Sequence, residues 1–303
     1  MAQPKYDVIV IGEGVSGLTA AGALAQAGLK VATMEAQLFG GLVLNVNELE
    51  PAPEGAPTSG AELASGMMET NSEHGVASIQ EPVTVLRESG GVIEAVTDSG
   101  SYTARHVVVA SGARLKRLGV PGESEFEGRG VSQCADCDGP MFQNEEDLVV
   151  GGGDSAFQEA VVLAQYCKRV HLVHRGDTFR AAHHWVEQVK SNDKISIVRN
   201  ATVEAILGAK MVEKARVKHA DGRTEEMPCA GVFAYIGLDP NTEFLPESVA
   251  RDDAGFVKTN DKLETGMPGV SAIGAVRSGY SGTLPDAINE ANAVAKTVAA
   301  RLK

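Results

Sequence analysis

Apolar and polar positions fall into two similar layouts along the chain. In the first, an apolar run at residues 7–11 meets a glycine turn, then an Ala-rich segment at 18–27 and a second apolar run at 29–35. In the second, residues 147–150 lead into Gly151-Gly152-Gly153, a helical stretch at 157–166 and a strand-like run at 169–174. Each layout predicts a strand–helix–strand unit. Between them, residues 91–105 alternate apolar and polar positions as hairpin strands do, and continue into the buried-strand run 106–110. A matching run at 231–236 closes the second unit. The chain then predicts a strand at 270–274 and a helix over Leu284–Leu302, with Pro285 suited to its first turn.

This pattern predicts an α/β protein with two Rossmann-like dinucleotide-binding domains, the second inserted into the first. Residues 1–114 and 243–303 form the discontinuous domain and 115–242 the inserted one, with turn-rich hinges at 113–122 and 237–242. Composition agrees with a globular chain: 303 residues, 43% hydrophobic and 22% charged. A formal net charge of −13 argues against nucleic acid and anionic membrane as partners. No apolar run approaches the ~20 residues of a membrane span. The N-terminus enters a strand at once without a signal-peptide layout, so the expected location is the cytoplasm.

The glycines carry candidate chemistry. In Gly12-x-Gly14-x-x-Gly17, the first allows the tight turn, the second lets backbone approach a pyrophosphate, and the third lets helix and strand pack closely. The following helix start offers N–H groups to phosphate. Glu35, at the end of the second strand, is placed to accept from ribose hydroxyls. The second motif, Gly151-x-Gly153-x-x-Ala156, instead has His174, Arg175 and Arg180 at the corresponding strand end. Basic residues there suit the 2′-phosphate of NADP.

Cys134 and Cys137 form a Cys-x-x-Cys pair that can close a disulfide and exchange it with a partner, with Asp138 placed to carry a proton. Zinc would need two further ligands, and Cys167 and Cys229 do not make a second such pair. Those two cysteines read as core residues. His183 and His184 are adjacent, face different sides of a helix, and read as surface. No metal site is expected.

Together these residues resemble the low-molecular-weight thioredoxin reductase family of pyridine nucleotide–disulfide oxidoreductases, over nearly the whole chain. The most specific stretch runs from Gly130 through Cys134-Ala135-Asp136-Cys137-Asp138 to Gly139; Gly40-Gly41, Ala110-Ser111-Gly112 and Gly151 to Ala156 match in order. The resemblance implies FAD on Gly12, Gly14, Val15, Ser16, Gly17, Glu35, Gly40, Gly41, Asn45, Ala110, Gly112, Gly274 and Ala287. It implies NADPH on Gly151, Gly153, Asp154, Ser155, His174, Arg175 and Arg180. It also implies a homodimer and thioredoxin, or a similar disulfide, as partner. By the same analogy Cys137 faces the flavin, Cys134 attacks the substrate and Asp138 is the acid/base, while the inserted domain swings on its hinges.

Several positions depart from the family pattern. Gly176 stands where a second arginine follows the histidine, which leaves NADPH against NADH open. Ala275 replaces the aspartate that bonds the ribityl chain, and Pro285-Asp286-Ala287 replaces Arg-Gln-Ala. The loop 276–282 is longer, and the segment 47–51 is altered. An aspartate at 286 would oppose negative charge on reduced flavin. Two further readings follow from these departures: a flavin disulfide oxidoreductase linked to ferredoxin, a second flavin or oxygen instead of nicotinamide, and a flavin-poor partner-binding relative.

Overall fold

The structure is a computed structural model of the chain and describes residues 5–46, 49 and 59–303. In chain order its strands are β1 (Tyr6–Ile11), β2 (Val31–Met34), β3 (Ala77–Ile79), β4 (Val85–Ser89), β5 (Val92–Thr97), β6 (Gly100–Val109), β7 (Ala113–Leu115), β8 (Val131–Ser132), β9 (Glu146–Gly151), β10 (Arg169–Val173), β11 (Ile195–Val198), β12 (Ala201–Gly208), β13 (Val212–His219), β14 (Thr224–Pro228), β15 (Gly231–Tyr235), β16 (Leu238–Pro240) and β17 (Val270–Ala272). The helices are α1 (Val15–Gln26), α2 (Gly60–Glu73), α3 (Ala135–Asp138), α4 (Asp154–Tyr166), α5 (His183–Lys190) and α6 (Leu284–Leu302). The chain forms two compact units, Met1–Arg114 with Asp239–Lys303, and Leu115–Leu238. Both are Rossmann-like α/β units.

In the first unit the sheet order is β3-β2-β1-β6-β5-β4, with β17 also on β6. Strands β1, β2, β3, β6 and β17 run parallel; β4 and β5 form an antiparallel hairpin. Branched apolar residues fill Val8–Ile11 of β1 without a break because both faces are covered there. One face packs Val8, Val10, Leu24, Val294 and Val298 beneath α1 and α6; the other packs Ile9, Ile11, Met34, Leu86 and Val107. The long β6 pairs with β1 along one edge and serves two partners on the other: residues 100–104 pair with β5, and residues 107–109 with β17. His106 is buried there, its Nε2 3.0 Å from Ser271 Oγ, and burial pushes its pKa down to about 4.

The second unit has an all-parallel sheet, β11-β10-β9-β15-β8, and an antiparallel meander, β12-β13-β14. Its core gathers Phe142, Phe157, Leu163, Leu172 and Phe233, with the Phe142 and Phe233 rings edge to face. Asp147, fully buried in β9, accepts the Cys167 S–H at 3.0 Å. Burial pushes its carboxyl up to about 6, against the Cys167 donor, which lowers it. Where the chain passes between units, β7 and β16 pair in a two-stranded ribbon.

Candidate active site

The three glycines between β1 and α1 answer different demands. Gly12 has φ +106°, and a Cβ there would lie 2.3 Å from the Ala110 carbonyl oxygen; one on Gly17 would lie 2.0 Å from the Gly12 oxygen. These two hold β1, β6 and α1 together. Gly14 is different: a Cβ would meet nothing closer than 3.8 Å, so its bareness leaves room in front of the helix. Helix α1 has no capping side chain and no acid in its first turn, so the N–H groups of Val15 and Ser16 start an uncapped terminus suited to phosphate. Gly40 and Gly41 close the other side, the Gly40 N–H donating to the Glu13 carbonyl at 2.7 Å.

Glu35 follows β2 with both carboxylate oxygens fixed. One accepts the Glu13 N–H at 2.8 Å; the other accepts those of Ala36 and Gln37 at 2.8 and 3.0 Å. This anchors an acceptor at the strand end, where ribose hydroxyls are read. Glu13 itself is a residue the motif reading passed over. It is fully buried and accepts hydrogen bonds from the hydroxyls of Thr33 and Ser78 and the amide of Gln80. An acid between the two turn glycines Gly12 and Gly14, in a motif suited to phosphate, has to be turned away from the helix start, and that was the available signal.

The C-terminal part of the same unit meets this turn at Gly274, whose φ is +70° and whose Cβ would lie 2.4 Å from Ser16 Oγ. The Gly274 N–H donates to Glu290 of α6 at 2.8 Å, and Glu290 pairs with Arg277. With alanine at 275, the carboxylate that meets this backbone therefore comes from α6. Asp286 takes part in capping: the Thr283 hydroxyl accepts its N–H at 3.3 Å, and Ser281 donates to its carboxylate. An acid in the first helical turn suits the helix dipole. Ala287 is buried with Val15, Val43 and Ala64. Asn45 ends the 3-10 turn Gly41–Asn45, and Gly112 has φ +65° with its carbonyl accepting the Asn241 N–H. Of the altered segment 47–51, all but Leu49 lies outside the described residues.

The second glycine turn differs in one respect: Asp154 stands in the first turn of its helix, where α1 has no acid. Gly153 precedes α4 with nothing within 4 Å of a Cβ and no capping side chain, and Ser155 is exposed in the first turn. A Cβ on Gly152 would lie 2.2 Å from the His174 ring, which packs on Phe179. The Arg180 N–H donates to the Gly152 carbonyl at 2.8 Å, and Asp154 accepts the Ala182 N–H at 2.6 Å. Asp154 thus ties down the loop that carries the two arginines. Arg175 and Arg180 are exposed, and Arg175 lines a cavity of about 230 Å³ with Asn200, Thr202 and Lys218. Beside Gly176, the Arg199 guanidinium lies 4.6 Å from the Phe179 ring centre and donates to the Asp177 carbonyl.

Cys134 and Cys137 are joined in a disulfide at the start of α3. Ala135 between them is fully buried in the core around Phe142 and Phe157, while Cys137 stays exposed and Cys134 half-buried. The Cys137 N–H donates to Cys134 Sγ at 3.1 Å. A donor at that sulfur favours its thiolate once the bond is reduced. Asp138 follows directly. Cys167 and Cys229 are buried, and burial pushes both thiols well up, Cys229 to about 12, so neither is a thiolate at neutral pH. His183 and His184 are exposed, and among the described residues no cluster of three or more His, Cys, Asp or Glu is arranged to hold a metal ion. Among them too, no helix is long and apolar enough to cross a membrane.

Comparison with known proteins gives a consistent result. The pyridine nucleotide-disulphide oxidoreductase family matches residues 6–291. A thioredoxin reductase of Treponema pallidum is 40% identical over 278 residues, covering 91% of this chain and 90% of the relative. One from Listeria monocytogenes is 39% identical over 280 residues, covering 90% and 86%. The crystal structure of Lactococcus lactis thioredoxin reductase in its FR conformation superposes with a TM-score of 0.92 at 34% identity, covering 98% of this chain and 99% of that one.

Proposed function

The chain belongs to the pyridine nucleotide-disulphide oxidoreductase family, and from that premise we propose that it is an NADPH-dependent reductase of a thioredoxin disulfide. Its class is that of an FAD-dependent disulfide oxidoreductase. The observation that carries the finer reading is the Cys134–Cys137 disulfide, in a unit whose loop after β10 packs on the glycine turn and presents Arg175 and Arg180.

The residues present fit both nucleotides. The uncapped start of α1, the open space at Gly14 and the anchored Glu35 suit the pyrophosphate and ribose of FAD. Gly153 and the start of α4 suit a second pyrophosphate, and Arg175 and Arg180 suit a 2′-phosphate. Bound FAD would supply two-electron chemistry between a nicotinamide and a disulfide.

The protein's own residues then perform the exchange. Asp138 accepts the proton of the Cys134 thiol; the Cys134 thiolate then attacks a sulfur of the partner's disulfide, forming a mixed disulfide and releasing one partner thiolate, to which Asp138 returns that proton. Cys137 attacks Cys134 Sγ, restores the Cys134–Cys137 bond and releases the second partner thiolate. The Cys137 N–H at Cys134 Sγ supports Cys134 as the attacking sulfur. The homodimer that the motif resemblance implies, and a cytoplasmic location, belong to the same proposed reading.

With glycine at 176, preference for NADPH over NADH rests on Arg175 and Arg180. A hydrogen bond to a charged group is worth about 1.5–3 kcal/mol. Arg175→Ala is therefore expected to lower kcat/KM for NADPH about tenfold to a hundredfold and to leave that for NADH nearly unchanged. Equal losses with both would remove the arginine from 2′-phosphate recognition. The reading as a whole is tested by NADPH consumption with an oxidised thioredoxin; no consumption beyond that with oxygen alone would refute it. Gly176 and the remodelled 275–286 stretch favour one second reading, in which a donor other than nicotinamide supplies the electrons.

A further inference from the structure

Under the dithiol turn lies a carboxylate with no part in the exchange just described. One oxygen of Glu159, on α4, accepts the Ala135 N–H at 3.0 Å and the Tyr235 hydroxyl at 3.2 Å. Ala135 directly follows Cys134 and is buried in the same core as Tyr235. Among the described residues, the titratable groups facing Glu159 are Tyr235 on β15 and Asp136 on α3. Burial raises the Glu159 pKa, its two donors oppose that rise, and Asp136 adds to it. The Tyr235 phenol is likewise pushed up by burial and by Glu159.

We propose that Glu159 is a positioning residue that fixes the redox turn through Ala135 and sets the potential of the Cys134–Cys137 couple. The proposal rests on the reading that this pair exchanges electrons with a partner disulfide. Reducing the pair breaks the S–S bond with two electrons. It takes up two protons to give two thiols, or one proton to give a thiol and a thiolate. A carboxylate that accepts the N–H of the residue next to Cys134 opposes the thiolate by Coulomb repulsion and engages the same turn. The reduced form is thereby less stable, and the couple is a stronger reductant.

Glu159→Gln keeps an oxygen for the Ala135 N–H and removes the charge. The test equilibrates the holoprotein with dithiothreitol redox buffers at pH 7 and counts free thiols by alkylation and mass. The expected result is an equilibrium constant for reduction raised about tenfold, equivalent to about 30 mV for a two-electron couple. An unchanged constant, or a lower one, overturns the proposal, because a purely structural role survives in the glutamine variant. Should that variant not fold, the wild-type protein answers reciprocally: the Glu159 carboxyl, followed by infrared spectroscopy, titrates at higher pH in the reduced than in the oxidised protein. Equal titration in both overturns the proposal. A wild-type pair that never equilibrates with the buffer overturns the redox reading itself, and the proposal with it.

Discussion

Cys137→Ser is expected to trap a thioredoxin on Cys134 as a stable mixed disulfide, and turnover of the protein disulfide is expected to fall by about a thousandfold or more. The trapped bond balances: the Cys134 thiolate displaces one partner thiolate, and no second cysteine remains to resolve the link. Cys134→Ser is expected to lose turnover equally and to trap nothing. Both variants keep the glycine turns and Glu35 intact, so both are expected to purify with flavin. The experiment has a sharp alternative, because Cys137 is the more exposed of the two in this structure. A partner trapped on Cys137 in Cys134→Ser, and not on Cys134 in Cys137→Ser, would reverse the assigned roles. Non-reducing electrophoresis followed by peptide mapping decides between them.

The second large effect is on stability, and it has opposite signs in the two units. His106 is buried and neutral, with a pKa lowered from 6.5 to about 4. The unfolded chain takes a proton near pH 6.5 while the folded one resists. The stabilisation is therefore full above about 6.5 and is lost as pH falls toward 4, by about 3 kcal/mol in total. Asp147 is the reverse case, raised from 3.8 to about 6. Its contribution is full below about 4 and is lost as pH rises through 6, again by about 3 kcal/mol. Lowering the pH from 7 to 5 should weaken the first unit and strengthen the second. Amide hydrogen exchange, corrected for the intrinsic pH effect, resolves the units separately where a single melting curve would average them. His106→Gln and Asp147→Asn are expected to flatten the respective responses. Parallel responses in both units would contradict the account.

Much of this architecture was legible because its central strands are buried on both faces. The runs at 7–11, 106–110 and 231–236 became β1, the end of β6 and β15, and the helix expected from about Leu284 to Leu302 is α6. The glycine turns were legible for a related reason: Gly17 is demanded by the Gly12 carbonyl within one strand–turn–helix unit, while the Gly12 contact with Ala110 depends on the neighbouring β6. What escaped has longer-range causes. The meander β12-β13-β14 is half exposed, and ion pairs such as Lys214–Glu226 and Lys218–Glu204 line its outer face, so its alternation reads as mixed charge. Helix α2 is weakly amphipathic and is marked mainly by its Ser59–Glu62 capping box.

The buried carboxylates show the limit most clearly. Glu13 is satisfied by Thr33 on β2, Ser78 on β3 and Gln80 beyond it, which come together only once the order β3-β2-β1 exists. Glu159 meets Ala135 and Tyr235 from two other elements. At Asp286 the sequence suggests only a charge near flavin; the fold adds Ser281 and Thr283, which make it part of a helix cap. The loop 276–282 supplies that serine, so this loop and the acid at 286 are structurally linked.

The central claim is that nicotinamide electrons reach Cys134 and Cys137 through the flavin. The most direct measurement is an anaerobic titration of the purified flavoprotein with NADPH, and then with NADH, followed in the visible spectrum and by thiol counting. The account predicts that two equivalents of NADPH, supplying four electrons, bleach the flavin band and open the disulfide to two new thiols at Cys134 and Cys137. A flavin that dithiothreitol bleaches and neither nucleotide touches would contradict it.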